Sequence, residues 1–244
     1  MSQKANRHGA KMDQELALAI LLSGRSALLT GAAGTGKTYL LNTFIARARK
    51  RGKKVSVTAT TGLAATHLGG NTIHSWSGIG VNDHLPNNFF ERLSKTRRDV
   101  ISKTDVLIID EISMLHDFRL DMIDKVLRTV RENDQPFGGI QLVMSGDFFQ
   151  LPPVNRPNEQ GGGFVVYSDA WQELQPAVLY LERQYRQSDE QLLEILTALR
   201  TGDVRRRHVE ALLARTEVEP PDGDITELHT VNVDVDDINI QKLA

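Results

Sequence analysis

Eight residues near the amino terminus, Gly31-Ala32-Ala33-Gly34-Thr35-Gly36-Lys37-Thr38, fit the pattern G-x-x-x-x-G-K-[ST] between a strand-like apolar run, 26–29, and a helical stretch. Glycines at such spacing let consecutive backbone N–H groups converge on phosphate at a helix amino terminus. Gly31, Gly34, Thr35 and Gly36 would form that cradle, Lys37 would reach the β- and γ-phosphates, and Thr38 would hold Mg²⁺. A second polar cluster follows a second apolar run: Val106-Leu107-Ile108-Ile109 leads into Asp110-Glu111. There Asp110 suits metal coordination and Glu111 suits the positioning of an attacking water, a pairing that favours hydrolysis over phosphoryl transfer to a bound hydroxyl. A third run, 142–153, ends in Gly146-Asp147-Phe148-Phe149-Gln150 and a Pro-stiffened loop. It is either a plain strand and turn or the carrier of an amide, Gln150, that reads the γ-phosphate.

The segment 58–76 places Thr60, Thr61, His74, Ser75 and Trp76 after a strand-like run. Hydroxyls suit phosphate contacts, and a ring suits stacking on an unpaired base. Trp76 reads better as core. For His74, a structural hydrogen bond and a base contact are both open.

The elements that must position these groups are short and rich in Val, Ile and Leu: 26–29, 55–59, 106–109 and 140–144, with helical stretches between them. Strands of that kind are buried on both faces, so the fold expected is α/β, a doubly wound parallel sheet of P-loop type with nucleotide at the carboxyl ends of its strands. The stretch 78–103 is more polar than a crossover requires and reads as a small inserted subdomain. Pro176 precedes a restart of the pattern, so a first lobe is expected over 1–175 and the beginning of a second over 176–244, with helices near 189–200 and 205–215 and a last strand near 225–230.

The 244 residues contain no cysteine, which excludes disulfides, thiolate metal sites and a cysteine nucleophile. The apolar run 16–22 is too short to cross a bilayer, and the chain reads as a soluble intracellular protein. Residues 1–103 carry 16 Lys and Arg against 5 Asp and Glu, whereas the remainder carries 13 against 26. That polarity permits a polyanion groove in the first half. Much of the excess lies in 47–54, however, where a solvated helix end whose cations complement the dipole is the better reading.

In order, GAAGTGKT, VTATTGLAATHLGGNTIHSW, IIDEISML, MSGDFFQLPPV and LERQYRQSDEQLLEILTALRTGD resemble the motifs of the Pif-type (petite integration frequency) DNA helicases and their RecD-like relatives in helicase superfamily one. The second and fourth blocks discriminate, since the P-loop and acidic pair alone fit many ATPases. The resemblance implies two RecA-like lobes and an ATP- and Mg²⁺-dependent motor moving 5′ to 3′ on single-stranded DNA and at duplex junctions. It further implies a monomer, a role in DNA repair, recombination or telomere maintenance, and a cytoplasmic location, nuclear or mitochondrial in a eukaryote.

The same likeness makes Gln14 the reader of adenine, Lys37, Glu111 and Gln150 catalytic, and Arg186 a positive charge from the second lobe. It puts Thr60, Thr61, His74 and Ser75 along the DNA track and makes 78–103 a wedge. Counterparts of the family's motifs V and VI are missing before Ala244, so weak turnover is the expectation for this chain, an arginine of the missing kind contributing about 10³–10⁵ in rate. Two other readings are a nucleotide-gated binding module that never translocates and, disfavoured by Glu111, a P-loop small-molecule kinase with Arg205–Arg207 as its lid.

Overall fold

The apolar side chains of the expected strands divide between two faces. In a computed structural model, which describes residues 12–155, 160–185, 189–216, 218, 235 and 238–240, Leu28, Leu107, Ile109, Leu142 and Met144 enter one hydrophobic cluster. Their strand neighbours Ala27, Leu29, Val106, Ile108 and Val143 enter another. Alternation with a period of two, apolar on both faces, is what a sheet covered by helices on each side requires.

The chain runs α1 (Gln14–Leu22), β1 (Ala27–Gly31), α2 (Lys37–Lys50), β2 (Val55–Ala59), α3 (Gly62–His67), β3 (Asn71–Thr72), α4 (Ile73–Ser77), α5 (Phe89–Arg92), α6 (Lys95–Lys103) and β4 (Val106–Asp110). A 3₁₀ turn, Ile112–Met114, leads to α7 (Asp117–Arg131), β5 (Gln141–Gly146), α8 (Asp169–Leu174), β6 (Ala177–Leu181), α9 (Glu190–Thr201) and α10 (Arg206–Leu213). The sheet order is β3-β2-β4-β5-β1-β6, every pair parallel. Helices α1 and α2 cover one face through Leu18, Leu21, Leu40, Leu41 and Phe44. On the other, α7 buries Leu120, Ile123 and Leu127 at helical spacing together with Met122 and Val126. This is the expected P-loop sheet, with the phosphate-binding turn and the acidic pair leaving strands at one edge.

Two expectations are corrected. Pro176 does not open a second lobe, because Ala177–Leu181 pairs with β1 along its whole length and is the sixth strand of the same sheet. The first compact unit extends to Ser188, and the second begins at Asp189. Nor does 78–103 have a core of its own: Ile79, Phe89, Leu93 and Ile101 belong to the cluster that covers the sheet. Apolar side chains spaced between charges look like an insertion in sequence, yet here they seal one face.

The second unit holds α9, capped by Asp189 through the Leu192 N–H, and α10. His208 is buried, accepting at Nδ1 from the Arg205 N–H (3.1 Å) and meeting Glu194 at Nε2 (3.2 Å). The expected strand at 225–230 lies outside the described residues. Among those described, no helix is long and apolar enough to cross a membrane.

The buried carboxylate of Asp124 on α7 is fully engaged. It accepts from Arg128 Nε (2.7 Å) and from the N–H of Phe137 (2.6 Å), a residue held at φ 54°. Asp124→Ala orphans both donors and is expected to cost about 3 kcal/mol, checked by the shift in the urea unfolding midpoint.

A candidate nucleotide site at the carboxyl edge of the sheet

The turn after β1 is shaped by how little room it has. Gly31 sits at φ 148°, where a Cβ would lie 2.4 Å from the carbonyl oxygen of Leu181 on β6, so any side chain would push the strands apart. Gly36, at φ 83°, ends the turn in the left-handed region and starts α2. Thr35 is buried, and its hydroxyl donates to the Ala32 carbonyl (2.9 Å), stitching the loop to itself. Lys37 folds over the turn, its Nζ donating to the carbonyls of Gly31 (2.8 Å) and Ala32 (3.0 Å). Asp13 caps α1 through the Leu16 N–H (2.7 Å) and so presents Gln14 at the helix start, where its Nε2 donates to the Thr35 carbonyl (3.4 Å).

Two cavities meet at this turn. One, of about 420 Å³, is lined by Gly34, Gly36, Lys37, Thr38, Glu111 and Gln150, with Tyr39 and Tyr185 at its walls. The other, of about 540 Å³, is lined by Met12, Asp13, Gln14, Thr35, Leu181, Arg183 and Tyr185. The first is polar and presents N–H groups and an ammonium. The second has a flat ring, Tyr185, with the Arg183 guanidinium 5.1 Å above it. A phosphate tail matches the former and a base with its sugar the latter.

Glu111 adopts φ 54°, ψ 40°, uncommon for a residue with a Cβ. The turn it makes packs on β5 at Gly146, where a Cβ would meet the Ile112 N–H nitrogen at 3.1 Å and Ile112 Cγ2 at 3.0 Å. Burial, and next the charge of Asp110, push the Glu111 carboxyl above its ordinary range; Lys37 opposes this and Asp147 adds to it. Asp147, buried at 2% exposure, accepts from the N–H of Phe149 (3.2 Å) and from Gln150 Nε2 (3.3 Å), which fixes the amide at the cavity wall. Thr38 lines the same cavity as Glu111, and Asp110, the last residue of β4, immediately precedes Glu111; together they would offer one hydroxyl and one carboxylate. That donor set suits a hard cation that takes its remaining ligands from phosphate and water, and among the described residues no cluster of three or more His, Cys, Asp or Glu offers an all-protein cage.

The residues expected along a nucleic-acid track divide. Thr61 caps α3, accepting from the Ala64 N–H (3.2 Å), and Ser75 is exposed on α4. Thr60 turns inward and donates to the Glu111 carbonyl (2.9 Å). His74 meets Arg119 Nη1 of α7 (3.2 Å), and Arg119 also holds Asp83 (3.2 Å). Burial, then the charges of Arg119 and His116, lower the His74 pKa to about 4, so its ring is neutral and accepts from the guanidinium. Trp76 is buried, as core packing requires. Arg186 lies outside the described residues. Sequence reasoning passed over Tyr185, Tyr39 and Arg183. Tyr185 and Arg183 stand in the quoted LERQYRQ block, and the bond from the Tyr185 N–H to the Gly34 carbonyl (2.9 Å) that seats Tyr185 leaves no pattern in sequence.

The displaced carboxyl and imidazole equilibria both make stability depend on pH. Glu111 has a folded pKa above its ordinary one, so it favours folding at low pH and loses that contribution as pH rises through the raised value; at neutral pH its charge is a cost. Glu111→Gln should therefore raise the melting temperature at pH 7 by about 2 °C, read by scanning calorimetry. His74 has the opposite sign: between pH 6.5 and 4 the unfolded chain takes a proton that the native ring refuses. It removes up to about 3 kcal/mol over that window, and His74→Gln should flatten the fall, measured as unfolding free energy against pH.

A family model described as PIF1-like helicase matches residues 10–205. ATP-dependent DNA helicase Pif1 of Psychrobacter sp. is 44% identical over 243 residues, covering 96% of this chain and 37% of that protein; the corresponding values for ATP-dependent DNA helicase RRM3 of Saccharomyces cerevisiae are 37% over 241 residues, 95% and 33%. Among solved structures, Pif1 helicase from Candida albicans matches with a TM-score of 0.85 at 36% identity, over 100% of this chain and 55% of that one. Pif1 helicase from Bacteroides in complex with ADP-AlF3 and ssDNA gives 0.81 at 31% identity, over 96% and 57%. The chain thus spans about a third of the length of these curated relatives.

Proposed function

The chain belongs to the PIF1-like helicase family, and from that premise we propose that it carries the nucleotide-hydrolysing site of an ATP-dependent DNA motor that moves 5′ to 3′ on single-stranded DNA, acting as a monomer. One observation carries the reading: Lys37, Thr38, Glu111 and Gln150, which follow three different strands of the sheet, line one cavity of nucleotide-phosphate size. The relatives named ATP-dependent DNA helicase, and the Bacteroides protein solved with ADP-AlF3 and ssDNA, support it.

In this reading the amides from Gly31 to Gly36 cradle the phosphates, and the Lys37 ammonium leaves the loop carbonyls for the β- and γ-oxygens. Thr38 and Asp110 would hold Mg²⁺, which when bound neutralises phosphate charge. Glu111 accepts the proton of the attacking water as the new oxygen–phosphorus bond forms. The bond between the γ-phosphorus and the bridging oxygen breaks, and ADP and phosphate depart. Gln150, steadied by Asp147, contacts the γ-phosphate. Gln14 reads the adenine edge, and Arg186 lends a positive charge to the transition state. Thr61, at the cap of α3, and Ser75, on α4, face the nucleic acid.

The site requires an ionised Glu111, so hydrolysis should fall on the acid side at a pH above the ordinary carboxylate range. Lys37→Ala is expected to abolish binding of a fluorescent ATP analogue. Glu111→Gln should keep that binding and lower phosphate release about 10²–10⁴-fold, measured with and without a single-stranded oligonucleotide. An unmodified chain that binds nucleotide but releases no phosphate would favour a nucleotide-gated binding module instead.

A further inference from the structure

We propose that Thr60 is a positioning residue for the general base, holding the main chain of Glu111 from the loop that leads to the nucleic-acid face. The proposal rests on the hydrolytic reading of the site given above.

Strands β2 and β4 pair in register to their ends, Ala59 opposite Asp110. One residue further, Thr60 leaves the sheet, and its two polar groups both return to the acidic pair. Its N–H donates to the Asp110 carbonyl (3.1 Å) and its hydroxyl to the Glu111 carbonyl (2.9 Å). Those carbonyls belong to the two residues whose side chains the chemistry needs in fixed positions. The second matters more, because Glu111 is in the left-handed region at φ 54°, a conformation that persists in a residue with a Cβ only when its surroundings over-determine it.

Two contacts supply that over-determination from opposite sides. Beneath, Gly146 leaves room for Ile112 to pack directly on β5. Across the strand end, Thr60 holds the carbonyl. Release of the hydroxyl lets the Glu111 peptide rotate toward more populated angles, which swings the carboxylate away from the water it must accept a proton from.

The placement also links two functions. Thr60 is followed at once by Thr61, the cap of α3, so the turn that fixes Glu111 is continuous with the helix expected to face the polymer. Movement of α3 on binding a strand would reach the acidic pair through the two hydrogen bonds of Thr60. Sequence reasoning assigned the Thr60 hydroxyl to phosphate contact, but a hydroxyl has one proton, and here it is given to Glu111.

The test compares Thr60→Val, which keeps the branched shape and removes the hydroxyl, with Thr60→Ser, which keeps the hydroxyl. Steady-state phosphate release is measured against ATP and against a single-stranded oligonucleotide, alongside the binding of a fluorescent ATP analogue and the melting temperature. Thr60→Val is expected to lower kcat about 10- to 100-fold, with KM for ATP, nucleotide affinity and melting temperature close to those of the unmodified chain. Thr60→Ser should recover most of the rate. The proposal is overturned by an unchanged kcat in Thr60→Val, by equal losses in both variants, or by a rise in the oligonucleotide concentration giving half-stimulation at constant kcat, which would mark a direct DNA contact. Absence of phosphate release from the unmodified chain would sink the hydrolytic reading and this one together, whereas normal release with an unaffected Thr60→Val sinks this one alone.

Discussion

A parallel sheet sealed on both faces leaves one kind of place where polar groups can gather, and everything else in this protein follows from that constraint. With Leu107 and Ile109 packed to one side and Val106 and Ile108 to the other, β4 has no polar surface until it runs out at Asp110. In β1 the residues Ala27 to Leu29, and in β5 the residues Leu142 to Met144, are likewise apolar and buried. Because all the strands point one way, the loops after β1, β4 and β5 emerge together. The phosphate-binding turn, the acidic pair and the Asp147–Gln150 loop are neighbours for that reason, though more than a hundred residues separate the first from the last.

Bringing them together has an electrostatic cost that the fold does not remove. Asp110, Glu111 and Asp147 converge on a half-buried edge, with Lys37 as the opposing charge among the causes that act on Glu111. A raised carboxyl is the consequence, and in the hydrolytic role proposed for Glu111 it is useful, since a base whose pKa lies nearer the working pH takes a proton more readily. The left-handed backbone of Glu111 is a second cost at the same position. Strain and charge accumulate where function needs a fixed carboxylate, and the neighbours that tolerate them, Gly146 and Thr60, are specified by contact with main chain instead of with substrate.

Much of this was legible in the sequence because it is local. The phosphate-binding turn is eight consecutive residues whose glycines have conformational reasons, and the strand before Asp110 declares itself by its unbroken run of Val, Leu and Ile. What was not legible depends on which elements meet. Pro176 marks a break in pattern, and nothing nearby in sequence says that the next strand returns to β1 instead of starting a new sheet. The inward turn of Thr60 is set by the Glu111 carbonyl 51 residues away, and that of His74 by Arg119 45 residues away. Residue type suggested a phosphate contact for the Thr60 hydroxyl and left His74 open between a base contact and a structural hydrogen bond; it is partners on distant elements that these two side chains meet.

The misplaced strand is also the most instructive element. The Leu181 carbonyl at the end of β6 leaves no space for a side chain at Gly31. Four residues later the Tyr185 N–H donates to Gly34, and between them Glu182 and Arg183 line the cavity that suits a base. The segment after β6, still within the first unit, is therefore a wall of the proposed nucleotide site, next to the phosphate-binding turn at two points. A sheet whose last strand lay elsewhere would leave the turn free on that side, and the cavity beside Gln14 would lose its ring.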